Sequence, residues 1–135
     1  MDSSGDAWAF GNGDEGQLGM PGNPRTIAVP VKITTLESVV SVSCGLFHTV
    51  CCDSQGVLRT FGMNSFGQLG LGDLQKRSVP TVVDKIHPDP SYEMPLVTFV
   101  ACGSYHTTCI DNSGYVWAFG RNQSYQLELD HEGTC

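Results

Sequence analysis

Short apolar runs alternate with glycine-rich polar punctuation along the chain, and no apolar period of 3.6 persists over eleven residues. Val39-Val40-Ser41-Val42-Ser43-Cys44 is β-branched and partly alternating, the pattern of a half-buried strand. Gly45 interrupts it, and His48-Thr49-Val50-Cys51-Cys52 forms a second run. Asp53-Ser54-Gln55-Gly56 predicts a turn, in which Asp and Ser bond their own backbone and Gly supplies a positive φ. Val57-Leu58-Arg59-Thr60-Phe61 then predicts the returning strand of a hairpin. Further on, Gly67, Gly70 and Gly72 mark close backbone approach. Val79-Pro80-Thr81-Val82-Val83 predicts an edge strand, because proline cannot donate to a ladder. The expectation is an all-β chain with little helix.

The same pattern recurs. Asp2 to Gly11, Asp53 to Gly62 and Asp111 to Gly120 align, with Phe10, Phe61 and Phe119 at intervals of 51 and 58 residues. Gly16-Gln17-Leu18-Gly19 is repeated as Gly67-Gln68-Leu69-Gly70 and, in degenerate form, as Tyr125-Gln126-Leu127-Glu128. Val42-Ser43-Cys44-Gly45-Leu46-Phe47-His48-Thr49 matches Val100-Ala101-Cys102-Gly103-Ser104-Tyr105-His106-Thr107 at the offset of 58. The shared frame comprises Gly11, Gly62 and Gly120, Gly45 and Gly103, Gly56 and Gly114, and the Gly67-Gln68-Leu69-Gly70 stretch with Gly72. About four short strands per repeat of this length describe a propeller blade. The repeat units fall at residues 1–38 (partial), 39–96, and 97–135 (partial and degenerate, with Tyr125, Glu128 and Asp130 in place of Gly67, Gly70 and Gly72). The expected architecture is therefore a partial, open β-propeller of about two and a half four-stranded blades. A ring of four such blades needs roughly 200 residues, so 135 residues predict an open arc, a piece of a longer propeller whose free edges self-associate.

Composition narrows the function classes. A hydrophobic content of 40% with only 16% charged residues excludes a disordered polyampholyte. A net charge of −7 argues against a freestanding nucleic-acid binder, which needs a basic surface to displace phosphate counterions. The polar, acidic start Met1-Asp2-Ser3-Ser4-Gly5-Asp6 does not read as a targeting segment, and no apolar run approaches the ~18–20 residues of a membrane span. Cys44, Cys51, Cys52, Cys102, Cys109 and Cys135 lie mostly inside apolar runs, where a free thiol is a small hydrophobe. They predict a reducing, intracellular setting, cytoplasmic or nuclear, rather than a disulfide framework.

Phe61-Gly62-Met63-Asn64-Ser65-Phe66-Gly67-Gln68-Leu69-Gly70-Leu71-Gly72-Asp73 resembles the repeat of the regulator of chromosome condensation (RCC1) family, as does Cys44-Gly45-Leu46-Phe47-His48-Thr49. The resemblance covers nearly the whole chain. It implies a β-propeller that binds other proteins, with neither a catalytic site nor a cofactor in the repeat. Members of the family include exchange factors for the small GTPase Ran, chromatin binders, ubiquitin-ligase accessory domains and plant UV-B photoreceptors. In exchange factors that look like this, histidines of the Gly-x-x-His-Thr motif line the face that meets the GTPase. The matching residues here are His48 and His106. A recurring histidine also reads as a core residue, its ring bonded to backbone with Thr49 and Thr107 in support. Leu46-Phe47 and Ser104-Tyr105 stand where the photoreceptor subgroup has Trp-Arg, which disfavours light sensing. The longer interval falls in Ile86-His87-Pro88-Asp89-Pro90-Ser91-Tyr92-Glu93-Met94-Pro95, a surface loop. It makes Pro88, Asp89 and Tyr92 candidate contact residues, against the plainer reading of tolerated length variation.

Other motifs fail on physical grounds. Gly11-Asn12-Gly13-Asp14-Glu15-Gly16 has dinucleotide-binding spacing, but no helix pattern follows and its two carboxylates would repel a pyrophosphate. Cys44/His48 and Cys102/His106 supply a zinc-like ligand set, yet as repeat equivalents in neighbouring blades they should point alike rather than converge. Asp53 and Asp111 are turn residues. The expected function is a protein-interaction module, with regulation of a Ran-like GTPase its sharpest form. The alternative is a scaffold, chromatin- or ubiquitin-ligase-associated propeller fragment without exchange activity. A metal-dependent Cys/His enzyme is the rival from another class.

Overall fold

The computed structural model describes residues 1–85, 91–124 and 126–127. Its strands are β1 (Trp8–Asn12), β2 (Thr26–Lys32), β3 (Val39–Cys44), β4 (His48–Asp53), β5 (Leu58–Gly62), β6 (Arg77–Val82), β7 (Val97–Cys102), β8 (His106–Asp111) and β9 (Val116–Gly120). Among the described residues there is no helix. The strands form three antiparallel sheets ordered β1-β2, β3-β4-β5-β6 and β7-β8-β9. The middle sheet is a whole blade. Phe10, Phe61 and Phe119 place β1, β5 and β9 at the same position, so the first sheet holds the outer half of a blade and the last its inner three strands. The described sheets form an open arc.

Local sequence explains the elements. The β4–β5 and β8–β9 hairpins share one register, Cys52 opposite Leu58 and Ile110 opposite Val116, with the Asp-Ser-x-Gly and Asp-x-Ser-Gly turns between them. Gly62 and Gly120 end their strands, and Gly11 stands one residue before the end of its own, at φ of 106°, 109° and 103°, a conformation a side chain rarely adopts. Pro30 and Pro80 sit on β2 and β6, each the outer strand of its sheet, where a missing N–H donor costs no ladder bond.

The core lies between sheets rather than within them. Ala7 and Ile33 beside the first sheet pack with Val39, Cys51 and Phe61 of the second. Val50, Cys52 and Leu58 of the second meet Val97, Val100, Cys109 and Phe119 of the third. The backbone ties each sheet to the next at the turn end: Val39 N–H donates to Gly5 O at 2.9 Å, and Val97 N–H to Gly56 O at 3.0 Å.

Candidate interaction surface

The antiparallel topology sorts the loops to two ends. At one end lie the turns led by aspartate. Oδ1 of Asp53 accepts from the amides of Gln55 (2.9 Å) and Val57 (3.0 Å), while Oδ2 accepts from Arg59 at 2.6 Å. Asp111 does the same with Ser113 and Tyr115, its other oxygen taking the Trp117 indole N–H at 2.9 Å. Asp2 repeats the device with Ser4, Asp6 and Trp8. The aspartate alone makes these turn bonds, where the sequence suggested that Ser shares them. Burial raises the Asp53 carboxyl, but Arg59 and the two amides outweigh it and hold the group below the ordinary range. The Trp117 bond, foremost, does the same for Asp111.

At the other end lie the Gly-x-x-His-Thr loops. His48 is 1% exposed. Its Nε2 lies 3.0 Å from Thr107 Oγ1 in the next sheet, and that hydroxyl donates to Gln68 O at 2.7 Å. Thr107 has one hydroxyl hydrogen, already engaged, so His48 Nε2–H donates and the ring is the Nε2 tautomer. Burial, then the charge of His106, pushes its pKa down to about 4. Gly45 and Gly103 have a steric reason: a β-carbon on either would overlap the ring of the histidine three residues on. Thr49 Oγ1 repeats the inter-sheet bond, donating to Gln17 O at 2.9 Å. Thr107, which the sequence reading gave a supporting part, thus bonds the His48 ring directly from the following sheet. His106 is half-buried.

Around these loops Leu46 and Ser104 are exposed, and Phe47, Phe66, Tyr105 and Arg121 are half-buried. Phe66 and Tyr105 pack edge-on with centroids 5.2 Å apart, and the Arg121 guanidinium lies 5.4 and 5.7 Å from the two rings. Asn64, which sequence reasoning missed, and Gln68 of the shared frame shape this end. Asn64 Oδ1 accepts from Leu69 N–H at 2.9 Å, and Gln68 Oε1 from Phe66 N–H at 2.9 Å. Asn122 and Gln126 repeat both bonds, to Leu127 and Ser124, despite the altered third motif. The recurring Asn-x-x-x-Gln spacing carried that signal.

The remaining candidates are placed apart. Pro88 and Asp89 lie outside the described residues, as do Tyr125, Glu128 and Asp130. Tyr92 is exposed and packs edge-on against Trp117 at 5.4 Å. Following β6 and preceding β7, it belongs to the turn end, opposite His48 and His106. Cys51, Cys52 and Cys109 are buried and Cys44 exposed. Burial raises the thiols of Cys51 and Cys109 to about 12 and that of Cys102 to about 11. Such thiols stay protonated near neutrality and are poor nucleophiles or metal ligands. Among the described residues no three His, Cys, Asp or Glu side chains gather as a metal site. Arg25, Lys32, Arg59, Lys76 and Arg77 each pair with a carboxylate, which leaves little basic surface uncommitted.

Repeated antiparallel sheets, sealed face to face by the same residues at each step, define a partial β-propeller of sequence repeats. The chain belongs to the regulator of chromosome condensation (RCC1) repeat family, whose repeat matches residues 4–52 and 55–110. It is 34% identical over 128 residues to the mouse regulator of chromosome condensation, covering 91% of this chain and 28% of that protein. With human protein RCC2 it shares 32% identity over 133 residues, 97% of this chain and 24% of the relative. The crystal structure of Kap60 bound to yeast RCC1 (Prp20) superimposes with a TM-score of 0.80 at 19% identity, over 96% of this chain and 31% of that one. The chain thus spans about a quarter of the length of these curated relatives.

Proposed function

We propose that this segment is a protein-interaction module and that, within a propeller of exchange-factor type, its Gly-x-x-His-Thr end contacts a Ran-like GTPase. One observation carries the reading: the exposed Leu46 and Ser104 project from loops seated on the buried His48–Thr107 bond, with the Phe66, Tyr105 and Arg121 cluster beside them. His48 shapes that surface from beneath, and His106 is the histidine available to a partner. Such a factor releases nucleotide by deforming the phosphate-binding loop and magnesium site, with no covalent step and no cofactor of its own. Raised thiol pKa values and the likeness to the regulator of chromosome condensation support a binding role over Cys/His catalysis. Paired cations and a net charge of −7 favour protein over nucleic acid as partner, in the cytoplasm or nucleus.

Tyr92, exposed at the turn end, supports a separate contact zone there; Pro88 and Asp89, the other two candidates of that loop, lie outside the described residues. The free edge of β1, flanked by exposed Trp8 and Phe10, supports self-association, read as concentration-dependent sedimentation. The main test is nucleotide release from a Ran-type GTPase with this chain added. Acceleration is expected; binding without acceleration favours the scaffold reading, and neither binding nor acceleration overturns the GTPase reading.

A further inference from the structure

The cluster of rings and cation at the Gly-x-x-His-Thr end is peculiar to one junction. Phe66, Tyr105 and Arg121 meet between the second and third sheets. Their repeat equivalents at the junction before are Glu15, Phe47 and Met63. Stacking one sheet on the next therefore needs neither the second ring nor the cation.

Arg121 is also held in place. Its guanidinium lies 5.4 Å from the Phe66 ring centre and 5.7 Å from that of Tyr105, and its Nε–H donates to Gln123 Oε1 at 2.7 Å. Its two terminal amino groups have no acceptor among the described residues, whereas Arg25, Arg59 and Arg77 each hold a carboxylate. A guanidinium fixed on aromatic rings with its fork unused has already lost much of the side-chain freedom that an ion pair costs. Apolar surface borders it. Leu46 is 53% exposed, and its N–H ties it to the same loop by donating to Ser104 O at 3.1 Å. Arginine set among aromatic and aliphatic side chains is the composition of an interface anchor.

We infer that Arg121 anchors a partner segment carrying one carboxylate beside an apolar side chain. The fork takes the carboxylate; Leu46 and the two rings take the apolar group. The chain's net charge of −7 repels a run of acids or a phosphate backbone, which selects a single carboxylate. The inference rests on this end being the interaction surface and names the chemistry it selects.

The test titrates the full chain with the peptide acetyl-Gly-Leu-Asp-Phe-Gly-amide, followed by amide and arginine Nε–H NMR shifts. Saturable shifts at Leu46, Phe66, Tyr105 and Arg121 are expected. Asn in place of the peptide's Asp should weaken binding about fivefold, as should Arg121→Gln in the chain. In Arg121→Gln the two peptides should bind alike, since both changes remove one contact. Arg121→Lys, a charge without the fork, should recover the loss only in part. The Asp–Asn comparison on the unaltered chain stands even where a variant misfolds. Absent saturation, shifts centred elsewhere, equal affinity for the two peptides, or tighter binding of inorganic phosphate at the same residues would overturn the inference. The GTPase assay separates the two readings. Peptide binding without a GTPase response overturns only the partner's identity, and a GTPase response undiminished in Arg121→Gln overturns only the anchor.

Discussion

The Phe61 ring lies against Gly19 of the preceding sheet so closely that a β-carbon there would sit 2.6 Å from its Cε2; Phe119 stands in the same relation to Gly70, at 2.8 Å. Phe61 and Phe119 are 1% and 6% exposed, whereas Phe10, with no sheet before it among the described residues, is 63% exposed. The ring and the glycine are two halves of one contact, distributed over successive repeats.

Gly70→Ala should destabilise the chain by about 1–3 kcal/mol through overpacking against Phe119, on top of the backbone strain at φ +68°. Gly72→Ala, at φ +73° with open space around it, should show only the backbone cost of about 1 kcal/mol. Urea unfolding of the two variants separates packing from conformation. Equal losses would show that the Phe119 contact is immaterial.

Phe61→Ala removes a buried ring and should cost roughly 3–5 kcal/mol. Phe10→Ala, the same residue type at the same repeat position, should stay within about 0.5 kcal/mol. Thermal unfolding by circular dichroism compares them directly.

His48 is neutral in the folded chain down to a pKa of about 4, against an ordinary value of 6.5. The unfolded state therefore binds more protons between these values, and stability falls as pH drops from about 6.5 towards 4. The Asp53 and Asp111 carboxyls, held below the ordinary range, add a separate loss at lower pH, as the folded groups protonate. His48→Gln should flatten the stability profile between pH 6.5 and 4 and leave the more acidic limb in place. Denaturant midpoints measured across that range provide the check.

Native-state alkylation at pH 8 should modify exposed Cys44 well before Cys51 and Cys109, whose burial raises their thiols to about 12. Peptide mapping by mass spectrometry gives the order. Early labelling of Cys51 would mean that the second sheet opens on the labelling timescale.

Strands and turns were legible because their causes are local. Alternation marks β3, the Asp-led turns close on themselves, and proline marks β6 as an outer strand. The bounds moved slightly, to Leu58–Gly62 for β5 and Arg77–Val82 for β6, and β2 at Thr26–Lys32 had drawn no individual expectation. What could not be read locally was the partner of each motif residue. Thr49 answers Gln17, His48 answers Thr107, and Phe61 answers Gly19, pairs separated by 32 to 59 residues. The repeat revealed that these residues matter, but only sheet-on-sheet stacking reveals what each one touches.

The ten residues from Phe61 to Gly70 face both ways, since the ring plugs the sheet before and the glycine forms the socket for the sheet after. The arc is consequently polar, with a plug end and a socket end that are not interchangeable. Any unit that lengthens it must enter in one orientation. A lesion in one motif should loosen two junctions at once, so damage spreads along the array further than the sequence distance it spans.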